Sequence, residues 1–391
     1  MQRRNILVVG AGPVGSVAAL ACARFGHRVT LLEAQEKIDD SPRASTTQPP
    51  TLEILAELGL IDEYIAQGLV SPTFQFWDRP TRRLIAEFDF SRLRDETAYP
   101  LVVQTEQHKL ANMAIGRLRG MPNAEVLLGC AVSGISQDEK QVMVIAGERH
   151  FAADYVIGCD GGRSTLRKCL GIEFEGYTWP ERFLVITTQF DFQAALGCCF
   201  RTYMADPDEW TNLFKVAGDD LKGRWRAVYN TRSDETDEEA LSDDSVRARL
   251  SRCYASNADW LHLNLYSVHQ RVAKNFRKGR VFLCGDAAHV NNPIGGLGLN
   301  CGIHEAWDLA NLLGGDESKL DLYERRRRPL NIKYVQEQTV ANKKQLEERD
   351  PAQREKRFDE LRRTAEDPKL ARAFLLRSSL IESLREAEQI A

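Results

Sequence analysis

The sequence predicts an α/β fold: a parallel-sheet domain, a second and mostly antiparallel sheet inserted into it, and C-terminal helices. Three observations carry that expectation. A short apolar run at 6–9 leads directly into a glycine-rich turn and a stretch of helical period. From about 178 to 270 the pattern changes to short aromatic runs separated by polar turns, as antiparallel strands require. Two later apolar runs, ending at Asp160 and Asp286, again pass into glycine-containing turns and helix starts. A length of 391 residues fits two or three structural units, at about 100–200 residues each.

Taken in order, residues 6–9 contain no polar side chain, which suits a strand buried on both faces. Val14, Val17, Ala18, Ala21, Cys22 and Phe25 follow at helical spacing, and Gly26 is placed to end that helix. Residues 28–32 form the second strand, with Glu33 at its carboxyl end. An apolar helical run spans 52–65. Phe74, Phe76, Trp77, Phe88 and Phe90 mark β-structure or loop over 71–99. Residues 99–103 read as a strand, 105–118 as a helix, and 126–135, 141–146 and 154–158 as further strands. The runs 184–192, 200–204, 213–216 and 225–229 supply the second sheet. The acidic stretch 234–244 reads as a solvated helix start or loop. Residues 281–284 form another buried strand, followed by a helix from Asn300 to about Leu313. Arg325 to Arg328, before Pro329, read as the solvated end of a helix. Beyond 341 the chain alternates charged residues with Leu346, Phe358, Leu361, Leu370 and Phe374, the pattern of amphipathic helices packed on a main body.

Composition excludes several classes. Hydrophobic residues at 43% and charged residues at 28% are those of a globular chain. The net charge of −4 argues against a broad basic face for nucleic acid. No apolar run reaches the ~18 residues of a membrane span, and no secretory cleavage site follows the first apolar stretch. A cytoplasmic protein without stable membrane association is expected. Nine cysteines at irregular spacing, with no Cys-x-x-Cys, read as reduced thiols, and the seven scattered histidines offer no metal-ligand spacing. No metal is expected.

The chemistry sits at the three turns. In Gly10-Ala-Gly12-Pro-Val14-Gly15, Gly10 allows the sharp turn, Gly12 lets a pyrophosphate approach the backbone, and Gly15 lets helix and sheet pack closely. The helix N-terminus offers unpaired N–H groups to phosphate. Glu33 is spaced to accept hydrogen bonds from both ribose hydroxyls. This is a Rossmann-like dinucleotide fingerprint, and the acid at 33 favours FAD or NAD over NADP. The second turn carries Asp160-Gly-Gly-Arg163. The third carries Gly285-Asp286-Ala-Ala-His289 and continues through Pro293 to Gly295, Gly296, Gly298, Leu299 and Asn300. There a carboxylate can hold a ribityl hydroxyl, and helix N–H groups can face a reduced flavin.

These three motifs, in this order, resemble the single-component FAD-dependent aromatic hydroxylases of the 4-hydroxybenzoate hydroxylase fold, over about residues 1–340. The run Val268-His269-Gln-Arg271-Val-Ala273 is similar to the 3-(3-hydroxyphenyl)propionate and pyridine-carboxylate hydroxylase branch. Asn291-Asn292-Pro293 departs from the Pro-Pro commoner there. The resemblance implies non-covalent FAD on Gly10, Gly12, Val14, Gly15, Glu33, Arg43, Gln104, Val132, Asp160, Asp286, Gly296, Gly298, Leu299 and Asn300. Val132 matches a family strand residue whose backbone touches adenine. It places Pro293 in the loop at the flavin and makes His289, as loop support or as a flavin and substrate contact, a candidate of the same site. Tyr203, Arg226 and Tyr229 are the candidates for substrate contact. The implied domains are 1–70, 100–177 and 270–340 for FAD, 71–99 and 178–269 for substrate, and 341–391 as a C-terminal helical segment. No thioredoxin-like C-terminal domain is expected.

The implied activity is hydroxylation of a phenolic or pyridine-type ring with NAD(P)H and O2, through a hydroperoxide at flavin carbon 4a. A same-fold oxidase, reductase or antibiotic-modifying hydroxylase is the alternative, and a non-enzymatic flavin-binding protein the second. No second fingerprint occurs, so NAD(P)H is expected to dock transiently. A monomer or homodimer is expected.

Overall fold

The computed structural model describes residues 3–41, 45–253 and 255–391. Two sheets organise it. The first has six strands, in the spatial order Arg277–Lys278, Val281–Leu283, Tyr155–Gly158, Asn5–Val9, Arg28–Leu32, Ala124–Leu127. All neighbours run parallel except the short edge pair. Ile6, Leu7, Val8 and Val9 are buried, in contact with the helix Pro13–Arg24 and with the strand Arg149–Ala153 of a three-stranded antiparallel sheet. The helix Pro13–Arg24 covers one face and packs against Gly298–Leu313 and Gln107–Arg119.

The second sheet has eight strands, in the order His289–Val290, Trp260–Ala273, Phe174–Thr188, Arg224–Asn230, Thr211–Val216, Arg201–Ala205, Thr73–Asp78, Arg83–Asp89. It is antiparallel except where Arg201–Ala205 meets Thr73–Asp78 in parallel. Its two faces follow the period-2 alternation of strands. Trp225, Ala227 and Tyr229 join a core with Leu184, Ile186 and Leu213, under the helix Asp243–Arg252. Val228, Phe183, Val185 and Tyr203 face the other way, toward the C-terminal helices Pro351–Glu366 and Pro368–Ser378. Among the described residues no helix is long and apolar enough to cross a membrane.

Four sequence expectations are corrected here. Residues 126–135 are not one strand. Ala124–Leu127 and Gly134–Gln137 lie in different sheets, separated by a loop in which Gly129 takes φ +65°. Val132 therefore sits in that loop, not on a strand. The run 52–65 is two helices, Pro49–Glu57 and Ile61–Ala66, broken where Gly59 takes φ +70°. The acidic stretch folds into Asp237–Leu241, opened by a Thr236/Glu239 capping box, and Asp243–Arg252. It is not wholly solvated: Glu235 is buried against Arg249 at 2.8 Å. Finally, Pro329 does not end a helix. Leu322–Asn331 continues through a π-helical turn, Ile332–Gln336. Arg327 is fully buried, and Arg325 and Arg326 donate to the carbonyls of Ala391 and Ile390.

Candidate functional site

The three turns converge because their strands are neighbours. Asn5–Val9 lies between Arg28–Leu32 and Tyr155–Gly158, and Val281–Leu283 follows. Their carboxyl ends thus open on one side, where parallel sheets bind ligands. Gly10 has φ +98°, and a Cβ there would lie 2.4 Å from the carbonyl oxygen of Cys159. A Cβ on Gly15 would lie 1.9 Å from the Gly10 carbonyl. Only glycine fits either place. A Cβ on Gly12 meets nothing within 4 Å, so the backbone is open there to a bound group. Val14 ties the first turn to the third: Cβ atoms on Gly285 and Gly302 would lie 3.1 and 2.8 Å from its methyl groups.

Glu33 is half-buried at the end of its strand. Its carboxylate accepts the Ala11 N–H at 2.7 Å and the Gln35 N–H at 3.0 Å. It therefore shapes the fingerprint turn as well as facing the ligand side. Asp160 accepts the Leu166 N–H at 3.0 Å through Oδ2. Its Oδ1 is buried without a hydrogen-bond partner among the described residues, a vacancy that a ligand hydroxyl suits. Asp286 is exposed within the single turn Gly285–Ala287.

The third loop is braced by buried amides. Asn300 accepts the Gln48 N–H and the Thr51 hydroxyl, both at 2.8 Å, and donates to the carbonyls of Thr46 and Gly296 at 2.9 and 2.6 Å. Its side chain is thus spent on the protein. Gln104 is also fully buried and accepts the Thr46 hydroxyl at 2.6 Å. Asn292, one of the two asparagines before Pro293, binds Gln270 through its N–H at 3.1 Å and accepts the Ile294 N–H at 3.1 Å. Pro293 is exposed, and its carbonyl accepts the Gly296 N–H at 3.0 Å, closing the turn. Gly298 opens the helix Gly298–Leu313, and Leu299 packs partly on the main core.

His289 lies behind the loop, not in front of it. It is fully buried, with Nε2 2.8 Å from Glu305 Oε1. Burial, the largest single influence, disfavours its cation, but Glu305 and Cys301 together outweigh it and hold the pKa well above the ordinary imidazole value. Glu305 Oε2 accepts the Gly285 N–H at 2.8 Å. His289 thus lies behind the turn and supports it through Glu305. Cys301 completes this group of possible metal ligands. The Arg327 guanidinium stands 3.9 Å from its sulfur, so a cation already occupies that corner.

The substrate candidates separate by face. Tyr203 lines a cleft beside the third loop, formed with Phe74, Phe76, Ile294, Leu297 and Phe374. Arg226 is buried on the same sheet face as Val228, and burial lowers its pKa from the usual guanidinium value. Tyr229 points to the opposite face and donates to the Arg249 carbonyl at 3.2 Å. It cannot touch a ligand in the cleft. Arg43 lies outside the described residues. A larger hollow of about 630 Å³ beside the helix Gln107–Arg119 is lined by none of the candidate site residues. Sequence reasoning missed Arg201, Phe374 and Glu305. The alternating Phe74 and Phe76 were the only local hint of an aromatic wall.

Comparison with known proteins agrees with this geometry. Residues 3–338 match the family described as FAD binding domain. The para-nitrophenol 4-monooxygenase of Pseudomonas sp. (strain WBC-3) is 33% identical over 98% of both chains. The 6-hydroxy-3-succinoylpyridine 3-monooxygenase HspB of Pseudomonas putida (strain DSM 28022 / S16) is 32% identical over 90% of this chain and 91% of that one. The crystal structure of p-nitrophenol 4-monooxygenase PnpA from Pseudomonas putida DLL-E4 superposes with a TM-score of 0.90, at 33% identity and 98% of each chain. Fold and site together define an FAD-dependent oxidoreductase. The chain belongs to the FAD-binding-domain family of aromatic monooxygenases, in which reduced nicotinamide is the electron donor.

Proposed function

We propose that this enzyme hydroxylates a single-ring phenol of the nitrophenol type, with NAD(P)H and O2 as co-substrates. The observation that carries this reading is the cleft beside residues 293–297, walled by Phe74, Phe76, Tyr203 and Phe374. Similarity to a para-nitrophenol 4-monooxygenase along nearly the whole chain supports it. Bound FAD would supply hydride acceptance and oxygen activation. Gly10, Gly12, Gly15 and the first helix would hold its pyrophosphate, Glu33 its ribose, and Asp160 and Asp286 its remaining hydroxyls. The open Gly12 backbone and the orphaned Asp160 oxygen fit that group. The N-terminus of Gly298–Leu313 would face the ring, and the turn closed by Pro293 and Gly296 would keep water from it.

The same reading has the protein acting in the cytoplasm on small molecules, as a monomer or homodimer, without nucleic acid or stable membrane contact. The test is stimulation of NAD(P)H oxidation by 4-nitrophenol and other single-ring phenols. Product mass under labelled oxygen then shows whether an oxygen atom enters the ring. Oxidation that no phenol stimulates, or that yields only H2O2, defeats the reading.

A further inference from the structure

Some buried cations in this fold have carboxylate partners, while Arg167 donates to the backbone carbonyls of Ala287 and Gly162. Arg79 pairs with Asp206 at 2.8 Å, and Arg249 pairs with Glu209 and Glu235, each at 2.8 Å. Arg201 differs. It is 4% exposed and lines the cleft beside the third loop. Its Nε donates to the Tyr203 hydroxyl at 2.9 Å, and its Nη2 donates to the Gly295 carbonyl at 2.9 Å. Its guanidinium also lies over the rings of Phe74 and Tyr203, at 4.8 and 5.4 Å from their centroids. Among the described residues no carboxylate pairs with it. A guanidinium has five N–H donors, and only two of these are engaged here. The remaining donors have no protein acceptor among the described residues and keep some exposure beside the aromatic cleft. A charge taken out of water is costly unless an opposite charge or full hydrogen bonding offsets it.

We propose that Arg201 is the specificity-determining residue of this cleft. Its guanidinium receives a negatively charged or strongly polarised oxygen of an aromatic substrate whose ring lies against Phe74, Phe76 and Tyr203. The inference rests on the phenol-hydroxylase reading and deepens it. The ligand chemistry has two sources, a phenolate oxygen or the paired oxygens of a nitro group. The geometry of the fork suits both, since guanidinium binds planar oxygen pairs as well as single oxyanions. The bond to the Gly295 carbonyl adds a second consequence: the residue that reads the substrate also holds the loop that faces the flavin.

The test uses the FAD-loaded enzyme and perturbation of its flavin absorbance by three probes: 4-nitrophenol, 4-nitroanisole and 4-methylphenol. Wild type is expected to bind 4-nitrophenol at least tenfold more tightly than 4-methylphenol. In Arg201→Met that ratio should fall below threefold in folded protein that still carries FAD. Arg201→Lys keeps a charge without the fork and should retain an intermediate preference, which guards against a misfolded methionine variant. Tight binding of 4-nitroanisole assigns the nitro oxygens to Arg201; weak binding assigns the phenolate oxygen. Either result supports the inference. An undiminished preference in Arg201→Met, or equal loss of all three probes together with FAD in both variants, overturns it. If phenols stimulate NAD(P)H oxidation while the preference ignores Arg201, this inference alone fails. If no phenol perturbs the flavin or stimulates oxidation, both readings fail.

Discussion

Replacing His289 with leucine removes the only described cation in direct contact with the Glu305 carboxylate. Both side chains are fully buried and 2.8 Å apart. Breaking a buried pair by removing one partner costs about 3–5 kcal/mol, because the remaining charge is left uncompensated. Glu305 keeps the Gly285 N–H at 2.8 Å and the weaker Cys301 thiol at 3.4 Å, so the lower part of that range is expected. The double variant His289→Leu, Glu305→Gln removes both charges but retains an acceptor for Gly285. It should be less destabilised than His289→Leu alone. Urea unfolding followed by circular dichroism, with and without FAD, reads both values. The pH dependence has a definite sign. The folded pKa of His289 is raised above its unfolded value, because Glu305 and Cys301 together outweigh the larger single effect of burial, which opposes them. Its stabilisation is therefore complete below the unfolded pKa of about 6.5 and is lost as pH rises through the higher folded value. The difference between wild type and His289→Leu should shrink on the alkaline side. A cost under about 1 kcal/mol at pH 6, where a buried ion pair requires several, would refute this account.

Glu33→Ala should weaken FAD retention by about 1–3 kcal/mol and loosen the turn at Ala11, measured by FAD titration of stripped protein. Arg249→Met leaves Glu235 and Glu209 buried without their shared partner. It should cost about 3–5 kcal/mol in urea unfolding while the flavin spectrum of folded protein stays normal. Pro293→Ser should open the turn whose carbonyl holds the Gly296 N–H. NAD(P)H oxidation should then continue while ring product per NAD(P)H falls and H2O2 rises; an unchanged ratio in a stably folded variant leaves Pro293 a rigid turn only.

The turns were legible because their chemistry is local. Gly10, Gly12, Gly15 and Glu33 are set by a single strand–turn–helix–strand unit, and the spacing alone implies the geometry. The cleft was not legible, because its walls come from five separated stretches of chain. Phe76 meets Tyr203 only through the parallel pairing of Thr73–Asp78 with Arg201–Ala205, a register no local pattern encodes. Tyr203 and Tyr229 looked equivalent as aromatic strand residues. Their strands are not even neighbours, and the pairing of each with Thr211–Val216 decides which face each one shows. Val132 was misplaced for a related reason: apolar residues on either side of Gly129 suggest one strand, but its positive φ turns the chain into another sheet. Phe374 entered the cleft from a helix whose spacing shows only that it packs somewhere.

The placement of charge divides the molecule by task. Behind the substrate sheet, Arg79, Asp206, Glu209, Glu235 and Arg249 form a closed set, each with an opposite charge in contact. Behind the third loop, His289 and Glu305 form a second, which fixes the Gly285 turn from the rear. With Arg252, which also pairs with Glu209 at 2.7 Å, the first set has three cations and three carboxylates, so ligand binding gives either set little to gain. On the ligand side the balance is left open. Asp160 has a buried oxygen without a partner, and Arg201 has donors in excess of its acceptors. One is an acceptor beside the second turn; the other is a donor beside the third loop. A cofactor rich in hydroxyls and a substrate carrying negative oxygen would satisfy these two groups respectively. A neutral hydrocarbon would offer the Arg201 donors no acceptor. On the proposed role of Arg201, discrimination at this site follows from a charge whose donors the fitting substrate engages.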